Sequence, residues 1–403
     1  MEKIIRWSCF TASACIVAAF LFALYISTLL PDTFHVGETG EIRVAGMPFL
    51  TSSPALGQEE AAANATRGGS YNAQLSLGGV IPVKTVRAEV LGRRVVQVCG
   101  TPFGIKMFAN GAMVVGFSDI YTAQGYQNPA KTAGLKLGDV IVSIAGHETR
   151  TNEDVAEALQ QLKGAPAEVV FQRDGHEKTV RLTAVMDLST NTYRTGMWVR
   201  DSSAGIGTMT FIDNATGTFA GLGHSIHDSD TGKTLGLLKG EIVPVEITGV
   251  EKGSAGAPGE LKGRFLTAAG DITVNGETGV YGTVSSVQEG IDMELALAQE
   301  VTTGRAEIIT TIEGRTPQRY EVEIEKIALN ASDANRNMVV HVTDPVLLQN
   351  TGGIVQGMSG SPILQNGKLV GAVTHVLVND PTQGYGILAE NMLLEAENGE
   401  NQS

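Results

Sequence analysis

The sequence predicts a mainly β protein behind one N-terminal membrane-crossing helix. Three observations predict it. Gly is abundant, at 49 of 403 residues, while aromatics make up only 5%, a balance that suits strands joined by tight turns. Short runs of alternating apolar and polar residues recur through the C-terminal half. The stretch from Trp7 to Leu30 is nearly continuous apolar sequence. With 42% apolar residues, the chain can bury the cores of two globular domains with connecting segments.

The net charge of −14 argues against nucleic acid as a partner, because the chain would repel phosphates. Of the three cysteines, Cys9 and Cys15 lie in the apolar stretch and Cys99 stands alone beyond it. No intramolecular disulfide can brace the soluble part, and no Cys pair has metal-ligand spacing. Cys99 reads as a small core residue.

The apolar run of about 24 residues would span roughly 36 Å as a helix, enough to cross a bilayer. Lys3 and Arg6 precede it, and Pro31, Asp32 and Glu41 follow. This charge order puts the N-terminus in the cytoplasm and the rest across the membrane. No small-x-small cleavage site follows, so residues 1–30 read as an uncleaved anchor with a cytoplasmic stub. Residues 31–79 read as a flexible tether, since 52–54 and 61–70 are small, polar and Gly-containing.

Residues 80–186 read as one small α+β domain. Val95 to Val98 and Ala112 to Phe117 are predicted strands. Asn128-Pro129-Ala130 opens a helical turn that Gly134 stops. Gly138-Asp139 then turns into the strand Val140 to Ile144. Thr151 with Asp154 signals a helix start, and Val155, Leu159 and Leu162 fall on one helical face. Val169 to Arg173, Asp174-Gly175 and Lys178 to Leu182 make a hairpin. This order of elements resembles the PDZ domain as bacterial proteases carry it. The resemblance implies a groove that holds an extended peptide as an added strand and captures its terminal carboxylate in backbone N–H groups. It makes Phe103-Gly104-Ile105 the peptide-binding nest and helix 152–163 the other groove wall.

Residues 187–403 are β-rich. Alternating runs at Glu241 to Ile247, Arg305 to Ile312, Tyr320 to Ile327 and Met338 to Val342 suggest a barrel or sandwich. Residues 394–403 are acidic and polar and are expected to fray.

The strongest chemical motif is Gly357-Met358-Ser359-Gly360-Ser361-Pro362. Its first Gly permits a sharp turn that points the Gly357 and Ser359 amides into one space, an oxyanion hole. Its second Gly would let substrate backbone approach. The motif resembles the nucleophile loop of chymotrypsin-like serine proteases, with Ser361 where those have Gly and Met358 where they have the Asp used in zymogen activation. A serine nucleophile needs a base. His224, set among small residues in Ala220-Gly221-Leu222-Gly223-His224, is the first candidate and His375 the second. Candidates for the acid that orients the base are Asp344, Asp380, Asp228 and Asp230. Asp344 precedes Pro345 and reads equally well as a turn initiator.

The apolar anchor, a PDZ domain ahead of the protease, the motifs around His224 and Ser359, and Val378-Asn379-Asp380-Pro381 followed by Gly384-Tyr385-Gly386 together resemble the stage IV sporulation protein B peptidases of endospore-forming bacteria. HtrA-type proteases, with the PDZ after the protease, fit worse. The resemblance implies a triad of His224, Asp344 and Ser359 without metal or organic cofactor, in a domain related to the chymotrypsin-like barrel. It implies a forespore signalling protease that cuts itself between Pro31 and Ser76. It further implies cleavage of the extracytoplasmic part of a regulatory subunit of an intramembrane metalloprotease, which permits pro-sigma-K processing. The competing class is a membrane-anchored PDZ scaffold without catalysis.

Overall fold

The computed structural model describes residues 2–37, 40–226, 239–267, 269–284 and 290–400. Its N-terminal helix, Glu2–Leu29, contains a stretch, Phe10–Leu29, with mean hydropathy 2.1, long and apolar enough to cross a membrane.

The expected tether is folded. Strands Thr33–Val36, Leu50–Pro54, Ser70–Leu77 and Ile81–Val90 form a four-stranded sheet. In Ser70–Leu77 the alternate residues Tyr71, Ala73 and Leu75 are buried, packing with Phe34, Val86 and Val90. Ile26 and Leu30 at the end of the helix join this core. Residues 81–90 therefore belong to this sheet and not to the PDZ domain, which moves the expected boundary at 80.

The peptidase region consists of two closed rings of strands. In the first, Pro102–Phe117 pairs with Lys239–Glu251, which pairs with Gly270–Gly276, then Gly279–Val284, Thr218–Gly221 and Met197–Asp213, and the last returns to Pro102–Phe117. The second is a six-stranded barrel of Gly304–Thr310, Gln318–Ile327, Met338–Val342, Asp380–Leu388, Lys368–Leu377 and Pro362–Gln365. Closure leaves neither ring an open edge. Phe103, Ile105, Phe219, Leu222 and Ile242 fill the first ring, and Ile308, Val322, Val340, Ile363 and Val373 the second.

The PDZ domain is inserted into the first ring. Pro102–Phe117 and Met197–Asp213 run as one long antiparallel ribbon. One end of the ribbon belongs to the ring. The other end carries Val140–Ile144, Pro166–Arg173, His176–Thr183 and the helix Asn152–Leu162. That helix opens with the predicted capping box: Asp154 N–H donates to Thr151 Oγ1 at 3.1 Å and Thr151 N–H to Asp154 Oδ2 at 2.8 Å. Asp174 and Gly175 take φ of 52° and 76°, as a two-residue hairpin of this twist requires. Asp139 is buried and takes both guanidinium nitrogens Nε and Nη2 of Arg173 at 2.7 Å.

This insertion corrects the proposed peptide nest. Phe103, Gly104 and Ile105 lie in the ring, hydrogen-bonded between Gly205–Gly207 on one side and Ile242–Pro244 on the other. Phe103 and Ile105 are core residues, and a Cβ on Gly104 would lie 2.1 Å from the Phe265 ring. Both backbone edges are used, so no peptide can be added there. The helix does wall a cleft, of about 560 Å³, which it shares with Ile120, Tyr193, Met197 and Trp198. The C-terminal segment also departs from expectation. Ala389–Glu400 is a helix with Met392, Leu393 and Ala396 buried.

Candidate active site

His224 lies three residues beyond the end of the strand Thr218–Gly221. Leu222 and Gly223 both take positive φ, 65° and 70°, which reverses the chain sharply. A Cβ on Gly223 would lie 2.8 Å from Thr374 Cγ2 and 2.9 Å from Ile387 Cγ2. Glycine thus lets the first ring bring His224 against the second.

Ser359 lies in the loop between the helix Pro345–Thr351 and the strand Pro362–Gln365. Residues of the strand Met197–Asp213 hold that loop. Thr208 Oγ1 donates to the Gly357 carbonyl at 2.9 Å, Thr208 N–H to the Ser359 carbonyl at 2.8 Å, and Thr210 Oγ1 to the Gly360 carbonyl at 2.7 Å. Sequence reasoning missed both threonines, since nothing local marks a hydroxyl that acts on a loop about 150 positions away. Gly360 has φ 93°, and a Cβ there would sit 1.9 Å from the Thr208 carbonyl oxygen. Its missing side chain therefore makes room for the protein's own backbone, not for substrate as expected. Met358 is fully buried in the barrel core.

His224 and Ser359 line one cleft of about 550 Å³ between the two rings, together with His375. The His224 and His375 rings lie 4.6 Å apart, tilted by 33°. His224 Nδ1 is 2.8 Å from the Ser225 carbonyl oxygen. A carbonyl can only accept, so Nδ1 carries the proton in the neutral ring and Nε2 is left as the basic nitrogen. The Ser359 hydroxyl donates to the Thr374 carbonyl at 2.7 Å. The Gly357 and Ser359 amides donate to no acceptor among the described residues, as an oxyanion hole requires.

Asp344 is not brought to the imidazole. It caps the helix Pro345–Thr351, accepting from Val346 N–H at 2.8 Å and Leu347 N–H at 3.0 Å through Oδ1, and from Glu321 N–H at 3.3 Å through Oδ2. Three backbone amides hold it there, which is the helix-initiating reading of Asp before Pro. Asp380 likewise serves its own turn, accepting from Thr382 N–H and Oγ1. Asp228 and Asp230 lie outside the described residues. Cys99 is buried and its thiol is pushed up to about 12 by desolvation, consistent with a core residue. Among the described residues no cluster of His, Cys, Asp and Glu could hold a metal ion.

Residues 191–393 match the model of the SpoIVB peptidase S55 family, and residues 124–173 match a PDZ domain. The chain belongs to the SpoIVB peptidase S55 family. That family is one of sporulation serine peptidases, and the chain carries a PDZ domain. The S55 match begins just before the ribbon strand Met197–Asp213 and takes in every strand of the two rings except Pro102–Phe117, so it includes His224 and Ser359.

The chain is also 44% identical over 55 residues to the Staphylococcus aureus (strain N315) protein named "Putative zinc metalloprotease SA1105", and 42% identical over 55 residues to a counterpart from strain MRSA252. Each match covers 14% of this chain and only 13% of the relative's length. Among solved structures it is similar to the PDZ domain of an SdrC-like protein from Listeria monocytogenes (14% identity, 22% of this chain and 87% of that one, TM-score 0.18). It is similar too to Deg5 (14% identity, 47% and 81%, TM-score 0.30).

Proposed function

We propose that this chain is a membrane-anchored signalling protease of the forespore that acts through Ser359 and His224. In this reading the Ser359 hydroxyl leaves the Thr374 carbonyl for another staggered position, from which it donates to His224 Nε2. It then attacks a peptide carbonyl while His224 takes its proton and later delivers it to the leaving amine. The amides of Gly357 and Ser359 receive the oxyanion. The Ser225 carbonyl orients the imidazole, and Asp344 sets the helix that leads into the nucleophile loop.

Self-cleavage falls in an exposed turn of residues 31–76, because cutting a strand requires peeling it from its sheet. The later substrate is the extracytoplasmic part of the regulatory subunit that restrains an intramembrane metalloprotease, and its cleavage permits pro-sigma-K processing. The N-terminus is cytoplasmic and the catalytic rings lie between the forespore and mother-cell membranes, until self-cleavage releases them. The observation that carries the reading is that Ser359 and His224 share one cleft beside two amides that have no acceptor among the described residues.

Purified full-length chain in detergent micelles tests it. Wild type shortens with time and cuts the regulatory subunit's extracytoplasmic part; Ser359→Ala does neither, since loss of the nucleophile costs about a millionfold. Equal fragmentation of both proteins would falsify the proteolytic role and leave the scaffold reading.

A further inference from the structure

We infer that the cleft selects substrates carrying an uncharged, aliphatic side chain on the acyl side of the scissile bond; this rests on the proteolytic reading above. Charged residues make up 18% of the chain, yet no Asp, Glu, Lys or Arg lines this cleft among the described residues. Its walls are apolar and come from both rings. Ile105, Ile206 and Leu222 belong to the first, and Ile354, Val355 and Val376 to the second. Among the described residues aliphatic side chains predominate, and the polar lining is confined to hydroxyls, an amide and the two imidazoles.

The acyl residue is the one whose carbonyl Ser359 attacks, and it stays bonded to Ser359 in the acyl-enzyme. Its side chain therefore enters the cleft beside Ser359 in both halves of the reaction. A leucine or valine side chain there sheds water against aliphatic walls, a gain that scales with apolar area. A lysine or aspartate side chain would lose hydration and find no Asp, Glu, Lys or Arg partner among the described lining residues. Branched aliphatic walls, with no Phe, Tyr or Trp among the described lining residues, suit compact aliphatic groups better than planar rings. A single methylene in an apolar pocket discriminates by about 10- to 200-fold, and a full charge exceeds one methylene. The preference should therefore be at least about a hundredfold in kcat/KM for Leu or Val over Lys or Asp.

The test uses full-length chain in detergent micelles and a set of peptides identical except for Leu, Val, Lys or Asp at one position, with cut bonds mapped by mass spectrometry. A fluorophosphonate probe reads Ser359 reactivity independently of peptide. Cuts following Leu and Val, about a hundredfold faster than those following Lys and Asp, support the inference. So does a gain of Lys cleavage in Val378→Asp, which places a carboxylate at the rim where Val378 is 50% exposed. If the probe labels Ser359 but Lys or Asp peptides are cut as fast as Leu, or no Leu or Val peptide is cut, the selectivity is wrong and the protease stands. If neither probe nor peptide distinguishes wild type from Ser359→Ala, the proteolytic reading itself falls.

Discussion

Asp344 separates two kinds of residue role that the sequence leaves entangled. Asn caps a helix about as well as Asp but carries no charge. Asp344→Asn should therefore keep kcat/KM within a few-fold, while Asp344→Ala loses about 1 kcal/mol of stability. A fall of about ten-thousandfold in Asp344→Asn, the size seen when a triad imidazole loses its orienting acid, would place the carboxylate on His224 during turnover. Thr208 makes a second residue-scale prediction. Thr208→Val leaves the buried Gly357 carbonyl short of a donor, a cost of about 1–3 kcal/mol. Because that carbonyl belongs to the loop bearing the oxyanion amides, kcat should drop while KM holds, and Thr208→Ser should restore it. At this scale Ser359 and His224 are legible, since each sits in a contiguous motif of small residues whose chemistry is local. The threonines are not, because a hydroxyl that braces a distant loop has no neighbours in sequence to mark it.

Elements are legible where local rules decide them. Thr151 and Asp154 close a capping box within four residues, and Asp174-Gly175 encodes its own turn. Alternation over Met338–Val342 predicts that strand with its observed bounds. Ser70–Leu77 is harder to see although Tyr71, Ala73 and Leu75 alternate toward the core, because the Gly- and Ala-rich stretch before it dominates the local composition. On the proposed reading, that sheet would confine self-cleavage to its turns. Leu56 is fully exposed in the turn between the strand Leu50–Pro54 and the short helix Glu59–Ala63, and it presents the side chain class that the cleft is inferred to take. Leu56→Asp should slow shortening of the full-length chain at this turn by about a hundredfold, and Leu56→Met should not. N-terminal sequencing of the product checks the site. Cutting of the Leu56→Asp chain at this turn at the wild-type rate would remove it as the preferred bond.

On the scale of the whole molecule, the sequence could not reveal that the PDZ domain is threaded into the first ring. The pairing of Phe103 to Ile105 is decided by strands about 100 and 140 positions later, which no local pattern specifies. Nor could it reveal how the N-terminal sheet is fastened to the catalytic rings. His35, half-buried on the strand Thr33–Val36, places Nδ1 2.8 Å from Glu390 Oε1 on the C-terminal helix and Nε2 3.6 Å from Glu89 Oε2 on its own sheet. Arg87 pairs with Glu89 and Arg94 with Glu397 around it. Burial pulls the imidazole down, but the hydrogen bond and charge of Glu390, with the charges of Glu89 and Glu397, outweigh it, so His35 titrates above its ordinary 6.5. A value raised in the folded state means that the contact's stabilisation is fully present below about pH 6.5 and is lost as pH rises through the folded value. The N-terminal sheet should therefore loosen from the rings as pH rises through the raised value of His35. Hydrogen exchange of residues 33–36 in the full-length chain should be slower at about pH 6 than at about pH 8.5, after correction for intrinsic exchange. His35→Gln, which holds a hydrogen bond to Glu390 without a titrating charge, should flatten that difference. An equal pH dependence in the variant would show that the fastening does not depend on the imidazolium.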